Sequence, residues 1–314
     1  MADGSGHSFA SLGTLGSQSA QQLAIPTGSL RRALGTEMYP TVYRLAEAES
    51  REPVNQISAP PESRDMGSSD WNAASLGAPA WVSVEEGYER WAPTYDQFPN
   101  PLLNLEEREL AALLPPLRGK RVLDLACGTG RWLEKLLGQG TGQGVGVDFS
   151  GAMLRVAQAK AAIRGRLARA DCLSLPFHAA TFDLVVCSFA LGHIRDLGAL
   201  VRELARVTRV GADVLTSDLH PEAYARGWRT AFRDACSAIE IEMWPHTAEE
   251  ISRRFYSAGF ECLTHLPLRL GEPEKPIFER AGKSDLFSEA CQVPAVLICH
   301  FKFAPADARL RGEL

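Results

Sequence analysis

The sequence lacks the features that define several large classes of protein. Its seven cysteines form an odd set without a C-x-x-C pair, which disfavours a disulfide framework or a structural zinc site and favours a reducing compartment. No run of about 18 apolar residues is present, and the first residues lack the apolar segment of a secretory signal. The formal net charge of −5 provides no basic excess for nucleic-acid binding. We therefore expect a cytoplasmic protein without a membrane span, a nucleic-acid partner or a metal site, and its oligomeric state stays open.

The first quarter of the 314 residues differs in composition from the remainder. Residues 1–80 are rich in Ser, Gly, Ala and Pro and contain few apolar clusters. Such a segment buries too little surface to offset the entropy of ordering it, so we predict a mostly disordered N-terminal extension. One folded domain is expected to cover residues 81–314.

The most informative stretch runs from Arg121 to Arg131 and reads R-V-L-D-L-A-C-G-T-G-R. Its first half is a short apolar run typical of a buried parallel strand, and helical spacing begins just after Gly128 and Gly130. A strand, a glycine turn and a helix present backbone N–H groups and the positive end of the helix to a ligand. The turn is therefore predicted to hold a nucleoside cofactor.

Strands and helices alternate after this turn. Further strands are predicted at 144–148, 167–170, 182–187, 212–217, 261–268 and 295–303, and the last two have no convincing helix between them. Before the turn, residues 102–114 form an amphipathic helix with Glu106 on its polar side. The predicted fold class is α/β, with a doubly wound, mostly parallel, seven-stranded Rossmann-like sheet and an antiparallel edge strand.

Three acids follow or end successive strands: Asp124, Asp148 and Asp171. The carboxyl ends of such strands line one crevice, so these side chains are expected to lie together. Asp148 comes 18 residues after Gly130, near the spacing of an acid that binds a ribose diol. Helix capping explains one such acid, but it explains three in register poorly.

The residues of the turn indicate which of the possible nucleotide cofactors it binds. A dinucleotide site requires a third glycine, where this chain has Leu133, and a phosphate loop requires a lysine–serine pair that is missing here. Carboxylates near the turn repel a pyrophosphate but attract a cationic sulfonium with an amino-acid tail. The expected cofactor is therefore S-adenosylmethionine (SAM).

Four ordered motifs resemble those of the class I SAM-dependent methyltransferases, specifically the methyltransferase type 11 group of small-molecule enzymes. They are V-L-D-L-A-C-G-T-G (122–130), G-V-D-F-S-G-A-M-L (146–154), R-A-D-C-L-S-L-P-F (169–177) and F-D-L-V-V-C-S-F-A-L-G-H-I (182–194). The resemblance covers about residues 84–217. Ala126 departs from it, because the family usually has glycine there.

The resemblance implies a set of cofactor-binding residues. Asp124, Ala126, Gly128 and Gly130 would surround the methionine moiety, Asp148 the ribose, Phe149, Met153, Asp171 and Cys172 the adenine, and Ser188 the sulfonium, while Tyr88 and Tyr95 belong to a leader that folds over the cofactor. Ordinary helix packing remains the alternative for the two tyrosines.

The acceptor side is less determined by the sequence. His193 and His246 are candidate catalytic residues, since a histidine titrates near neutrality; helix capping is the alternative for His193. Residues 218–246 are rich in large aromatic and polar side chains and form either a substrate lid or a packed insertion. We expect transfer of a methyl group to a small molecule by in-line displacement, with oxygen favoured over nitrogen or carbon. A non-catalytic scaffold and an NAD-dependent oxidoreductase are the alternatives.

Overall fold

A seven-stranded sheet organises residues 80–233 and 237–306, which are the residues described in this computed structural model. Its strands, in spatial order, are β4 (Leu167–Arg169), β3 (Gln143–Asp148), β2 (Arg121–Leu125), β5 (Phe182–Ser188), β6 (Thr208–Leu219), β10 (Pro294–Phe303) and β9 (Phe260–Arg269). The first five are mutually parallel, and β10 is antiparallel to both of its neighbours. The predicted fold class is confirmed, with the reversed strand one place in from the edge.

Helices cover both faces of this sheet. They are α1 (Val84–Trp91), α2 (Pro101–Ala111), α3 (Arg131–Gly138), α4 (Gly151–Ala159), α5 (Leu197–Val207), α6 (Pro221–Ala225), α7 (Ala248–Ser257), α8 (Lys275–Arg280) and α9 (Ser284–Ala290). Alternate residues of β2 point to opposite faces: Leu123 packs in one apolar cluster with α5 and α7, whereas Val122 packs in a second cluster with α2 and α3. Both faces of β2 are therefore buried.

The segment between β9 and β10 corrects one expectation. It contains the short helices α8 and α9, where the sequence indicated no convincing helix. Six or seven residues complete fewer than two turns of 3.6 residues, so helical periodicity has little room to show in the sequence.

A smaller sheet stands apart from the central one. It contains β1 (Ala80–Val82), β8 (Ala238–Ile241) and β7 (Ala231–Arg233), in the order β1-β8-β7. Strands β7 and β8 come from the predicted insertion at residues 218–246, and β1 directly precedes α1. Helix α1 packs closely on this sheet, because a Cβ on Gly87 would lie 2.6 Å from a side-chain carbon of Ile241.

The predicted N-terminal extension lies outside the described residues, apart from Ala80 in β1. All of the described residues fall within a single compact unit. In that part of the chain, no helix is long and apolar enough to span a bilayer.

Candidate active site

A cavity of about 880 Å³ opens at the carboxyl ends of β2, β3, β4 and β5. Twelve of the sequence-predicted site residues line it: Tyr88, Tyr95, Asp124, Ala126, Gly128, Asp148, Phe149, Met153, Asp171, Cys172, Ser188 and His193. Gly130 and His246 are not among its lining residues. The strand-end positions therefore do meet in one crevice, although the role of each side chain stays a prediction.

The glycine turn has an unusual backbone. Ala126, Gly128 and Gly130 have φ values of +54°, +54° and +81°, all in the left-handed region. A Cβ on Gly130 would lie 2.3 Å from Cδ1 of Ile163, so both the conformation and the packing require glycine. No atom lies within 4 Å of the Cβ position at Gly128, which leaves that side of the turn open to the cavity.

Asp124 lies almost fully buried beneath this turn. Its Oδ2 accepts a hydrogen bond of 2.8 Å from the backbone N–H of Leu133, in the first turn of α3. Burial raises the pKa of Asp124 to about 7, because removal from water disfavours the carboxylate. The side chain therefore caps α3 and also provides a titratable acid at the wall of the cavity.

Asp148 ends β3 and connects two loops. Its Oδ2 accepts from the backbone N–H of Gly128 at 2.7 Å, and its Oδ1 accepts from that of Ser150 at 2.8 Å. Burial raises its pKa, although these amide hydrogen bonds oppose the shift. Because the backbone of Phe149 also bonds to it, the carboxylate accepts from three N–H groups and keeps one lone pair for a ligand hydroxyl.

The next part of the cavity offers an aromatic face. Phe149 is 50% exposed, and the guanidinium carbon of Arg169 lies 5.6 Å from its ring centre. Asp171 Oδ1 accepts from the backbone N–H of Leu173 at 2.8 Å. Burial raises the pKa of Cys172 to about 12, so its side chain stays a neutral thiol.

A buried acid beside the cavity was placed wrongly by the sequence. Glu106 was expected on the polar side of its helix, but it is fully buried. Its Oε1 accepts from Trp132 Nε1, Ser188 Oγ and Ser217 Oγ at 2.8–3.0 Å, and its Oε2 accepts from Arg131 at 2.7 Å. The helix period could not reveal this, because the partners lie 25 or more positions further along the chain.

Arg131 is a cavity-lining residue that sequence reasoning missed. Its guanidinium donates to Glu106 and to Ser188 Oγ, at 2.7 and 3.0 Å, and pairs with Glu107 at 3.3 Å. The feature of the sequence that could have identified Arg131 is its position directly after the glycine turn. Its guanidinium places a fixed positive charge close to Glu106, Glu107 and Asp124.

His193, which also lines the cavity, ends a 3₁₀ turn, Leu191–His193, that follows β5. Its Nε2 lies 3.0 Å from the hydroxyl of Tyr88, and its Nδ1 lies 2.9 Å from the backbone carbonyl of Glu242. Burial lowers the pKa of His193, and the nearby carboxylate of Asp218 opposes that shift.

His246 has a different environment. Its Nε2 lies 2.9 Å from the carbonyl of Ile194, and its Nδ1 lies 3.4 Å from Glu250. Both nitrogens have protein partners and His246 is not among the residues that line the cavity, so its catalytic role stays a prediction.

Glu89 of helix α1 binds the start of α4. Its Oε1 accepts from Ser150 Oγ and from the N–H of Ala152, at 3.1 and 2.9 Å, and its Oε2 pairs with Arg155 at 3.3 Å. A carboxylate at the start of α4 is favoured by the helix dipole. This contact brings Tyr88, the preceding residue, to the cavity wall.

Comparisons with known proteins agree with this architecture. Residues 122–211 match the family described as "Methyltransferase domain". The demethylmenaquinone methyltransferase of Roseiflexus sp. is 38% identical over 159 residues, which are 46% of this chain and 65% of that protein. The 2-phytyl-1,4-naphtoquinone methyltransferase of Synechococcus elongatus is 29% identical over 219 residues, which are 60% of this chain and 93% of that protein. The chain thus spans just under two thirds of the length of the first relative.

Solved structures share the fold. The S-adenosylmethionine dependent methyltransferase of Mesorhizobium loti superimposes with a TM-score of 0.50 at 22% identity, over 63% of this chain and 97% of that chain. The matched family model and the shared fold agree with the class I SAM-dependent methyltransferase predicted from the sequence motifs.

The cavity suits SAM, the cofactor expected from the sequence motifs. The open side of Gly128 allows a ligand to approach the backbone, and the exposed ring of Phe149 offers a surface for a flat base. Asp124 and Asp148 provide carboxylate oxygens, the kind of acceptor that a cationic amino-acid tail and a ribose diol require. Residues and cofactor chemistry therefore agree.

Proposed function

We propose that this protein transfers a methyl group from SAM to a small-molecule acceptor. The observation that carries the proposal is that the strand-end acids and the apolar side chains of Leu103, Phe189 and Trp244 line one cavity. A volume near 880 Å³ lies in the upper part of the ~300–1,000 Å³ range of small-molecule sites, as a site for two ligands requires.

Each part of the cofactor has a proposed set of partners. Asp124 and the turn at Ala126, Gly128 and Gly130 would hold the amino-acid tail, and Asp148 would accept from the ribose hydroxyls. Phe149, Met153, Asp171 and Cys172 would surround the adenine, and Ser188, Tyr88 and Tyr95 would lie near the sulfonium. When bound, SAM supplies an activated methyl group, and the chain supplies alignment and exclusion of water. Proximity of this kind contributes roughly 7–11 kcal/mol in well-oriented reactions.

The proposed acceptor is an aromatic ring that carries a hydroxyl group. The names of the two relatives describe quinone acceptors, and the cavity lining includes the apolar side chains of Leu103, Phe189 and Trp244, which suit contact with a flat ring. Oxygen remains the favoured target atom, because the acceptor wall carries a tyrosine–histidine pair suited to handling a hydroxyl proton.

Calorimetry and product analysis test this proposal. The protein is titrated with SAM, with S-adenosylhomocysteine and with NADH, and is then incubated with methyl-labelled SAM and a panel of hydroxylated benzenes and naphthalenes. We expect binding of the two adenosyl ligands only, and mass spectrometry should place the label on oxygen. Label on ring carbon would overturn the oxygen preference alone. Failure of both adenosyl ligands to bind would refute the proposed function, and binding without turnover of any acceptor would favour the scaffold alternative.

The cytoplasmic location expected from the cysteines stays a prediction. Fractionation of cells that express the full chain would test it, and recovery in the membrane pellet would contradict it.

A further inference from the structure

Both ring nitrogens of His193 are occupied by protein groups. The carbonyl oxygen of Glu242 can only accept, so the Nδ1 atom that lies 2.9 Å away must carry a proton. Burial lowers the pKa of His193, so the ring is neutral near pH 7 and its Nε2 is an acceptor. The hydroxyl of Tyr88, 3.0 Å from Nε2, is therefore the donor in this contact.

This arrangement leaves His193 without a free nitrogen for an acceptor molecule. The Tyr88 oxygen, in contrast, donates its one proton to Nε2 and keeps lone pairs of its own. Both side chains line the cavity. A proton from a bound hydroxyl therefore reaches His193 through the Tyr88 oxygen without any rearrangement of the resting contact.

The carboxyl group of Asp218 offsets part of the cost that burial places on a positive charge at His193 during turnover. Asp218 is the carboxylate whose charge acts on His193, and it accepts from the backbone N–H groups of Gly192 and Leu219, at 2.5 and 2.7 Å. These donors favour its ionised form, although burial raises its pKa. The other charged or titratable groups that act on the pair are Tyr95 and Asp148, which face Tyr88, and His246, which faces Asp218.

On the basis of the function proposed above, we propose that Tyr88 and His193 form a proton relay that selects acceptors with a hydroxyl group and removes its proton. The Tyr88 oxygen touches the acceptor, and His193 is the final base. Tyr88 is thereby assigned to the acceptor, in place of the cofactor role expected from the sequence.

The relay is balanced in atoms and charge. The acceptor oxygen forms its bond to the methyl carbon, and the methyl–sulfur bond breaks with its electron pair going to sulfur. The acceptor proton passes to the Tyr88 oxygen, whose own proton passes to His193 Nε2. The positive charge lost at the sulfonium is thus regained on the imidazolium, facing Asp218, and water later takes up that proton.

The two members come from distant parts of the chain. Tyr88 belongs to α1, 105 positions before His193, and it is held by the attachment of Glu89 to the start of α4. The Tyr88 ring also stacks on Trp91, with ring centres 6.0 Å apart, and meets the His193 ring edge-on at 5.3 Å. A phenylalanine at this position keeps those ring contacts and removes only the hydroxyl, so Tyr88→Phe isolates the relay.

The first test compares acceptors of different acidity. Initial rates are measured for Tyr88→Phe and His193→Asn with a series of substituted phenols, at a pH where some are ionised and others are not. For un-ionised phenols, kcat/KM should fall by about 10²- to 10⁴-fold, whereas phenols that are already ionised should lose less than about threefold. Tyr95→Phe is the matched control, since it removes a neighbouring cavity hydroxyl, and any loss it causes should be equal across the series. An equal loss across the series in Tyr88→Phe would overturn the relay.

The second test needs no turnover. The ionised form of 7-hydroxycoumarin has its own absorption band, so its titration is followed in complex with the protein and S-adenosylhomocysteine. Wild-type protein should lower the midpoint of this titration by about one pH unit, and Tyr88→Phe should restore the value in solution. The same midpoint in wild-type protein and Tyr88→Phe would overturn the relay even if methylation occurs. Absence of methylation with a shifted midpoint would instead count against the proposed function alone.

Discussion

The raised pKa of Asp124 predicts that SAM binding depends on pH. In the unliganded protein this pKa is about 7. A cationic amino-acid tail beside the carboxyl group would favour its ionised form and lower the pKa, so binding should release a proton. If the pKa falls below about 5 in the complex, the dissociation constant of SAM should decrease about fifteenfold between pH 5.5 and 7.0. This range lies below the pKa of the ligand's α-amino group, about 7.7–8.0.

Isothermal titration calorimetry measures both quantities. Titrations at pH 5.5, 6.0, 6.5 and 7.0 give the dissociation constant, and repetition in buffers of different ionisation enthalpy gives the number of protons released. That number should be about one half at pH 7. S-Adenosylhomocysteine retains the amino-acid tail without the sulfonium charge, so it should show the same slope if Asp124 senses the tail.

The control variant is Asp124→Asn, which keeps an oxygen to accept from the N–H of Leu133. Its affinity for SAM should vary less than about twofold over the same range. Arg131, Asp148 and Glu106 are the other charged groups that act on Asp124, and the variant retains all of them. A slope in Asp124→Asn equal to that of the wild type, or no slope in the wild type, would refute the assignment.

The folding stability of the unliganded protein should also depend on the ionisation of Asp124. In contrast to SAM affinity, it should fall as the pH rises. The folded-state pKa of Asp124 is raised above its unfolded value, about 3.9, so the folded state takes up the proton first as the pH falls. Its carboxylate therefore destabilises the unliganded protein above pH 7, by up to about 4 kcal/mol, and this cost disappears as the pH falls from about 7 towards 4. Urea unfolding at pH 8 should find Asp124→Asn more stable than the wild type, and an equal or lower midpoint would contradict this.

Three further substitutions test the turn and its surroundings. Asp148→Ala should weaken SAM binding at least tenfold, about 1.4 kcal/mol, and unchanged affinity would disprove the ribose assignment. It should also lower the melting temperature more than Asp148→Asn does, because alanine leaves the N–H groups of Gly128 and Ser150 without their acceptor. Ala126→Gly should stabilise the protein by up to about 1 kcal/mol in urea unfolding, since φ is +54° there, and a loss of stability would be inconsistent with backbone strain. Gly130→Ala should destabilise more than Gly119→Ala; the two glycines have φ values of +81° and +79°, but only the former meets a side chain, and equal effects would rule out the close contact as the cause.

The sequence predicted that the strand-end acids meet in one crevice, because the signals for the strands and the turn are local. A buried strand, a turn that needs positive φ and a capped helix are each encoded within a few residues, and Asp124 and Asp148 fall at the ends of such units. Parallel strands bring their carboxyl ends to one edge, so the meeting of these acids follows from the order of the elements. Ser150 caps the helix that follows β3, with its Oγ accepting from the N–H of Met153.

The contacts of Tyr88 and Glu106 were not predicted, because they join distant segments of the chain. Nothing near His193 in the sequence indicates that Tyr88 will meet its ring, and nothing near Glu106 indicates four donors around a buried carboxylate. The helical pattern placed Glu106 towards solvent, since amphipathicity assumes that charged side chains avoid burial. Complete hydrogen bonding removes that penalty, and only the packed chain provides it.

By itself, the sequence determined which segments form strands, where the glycine turn lies and the preference for a cationic ligand. Backbone preference and charge are properties of short segments. The tertiary structure decided that Asp124 is buried enough to titrate near neutrality, that the positive charge of Arg131 acts on it, and that the hydroxyl of Tyr88 lies 3.0 Å from His193. Those properties arise from desolvation and from hydrogen bonds between segments up to 105 positions apart, and they exist only once the chain has packed.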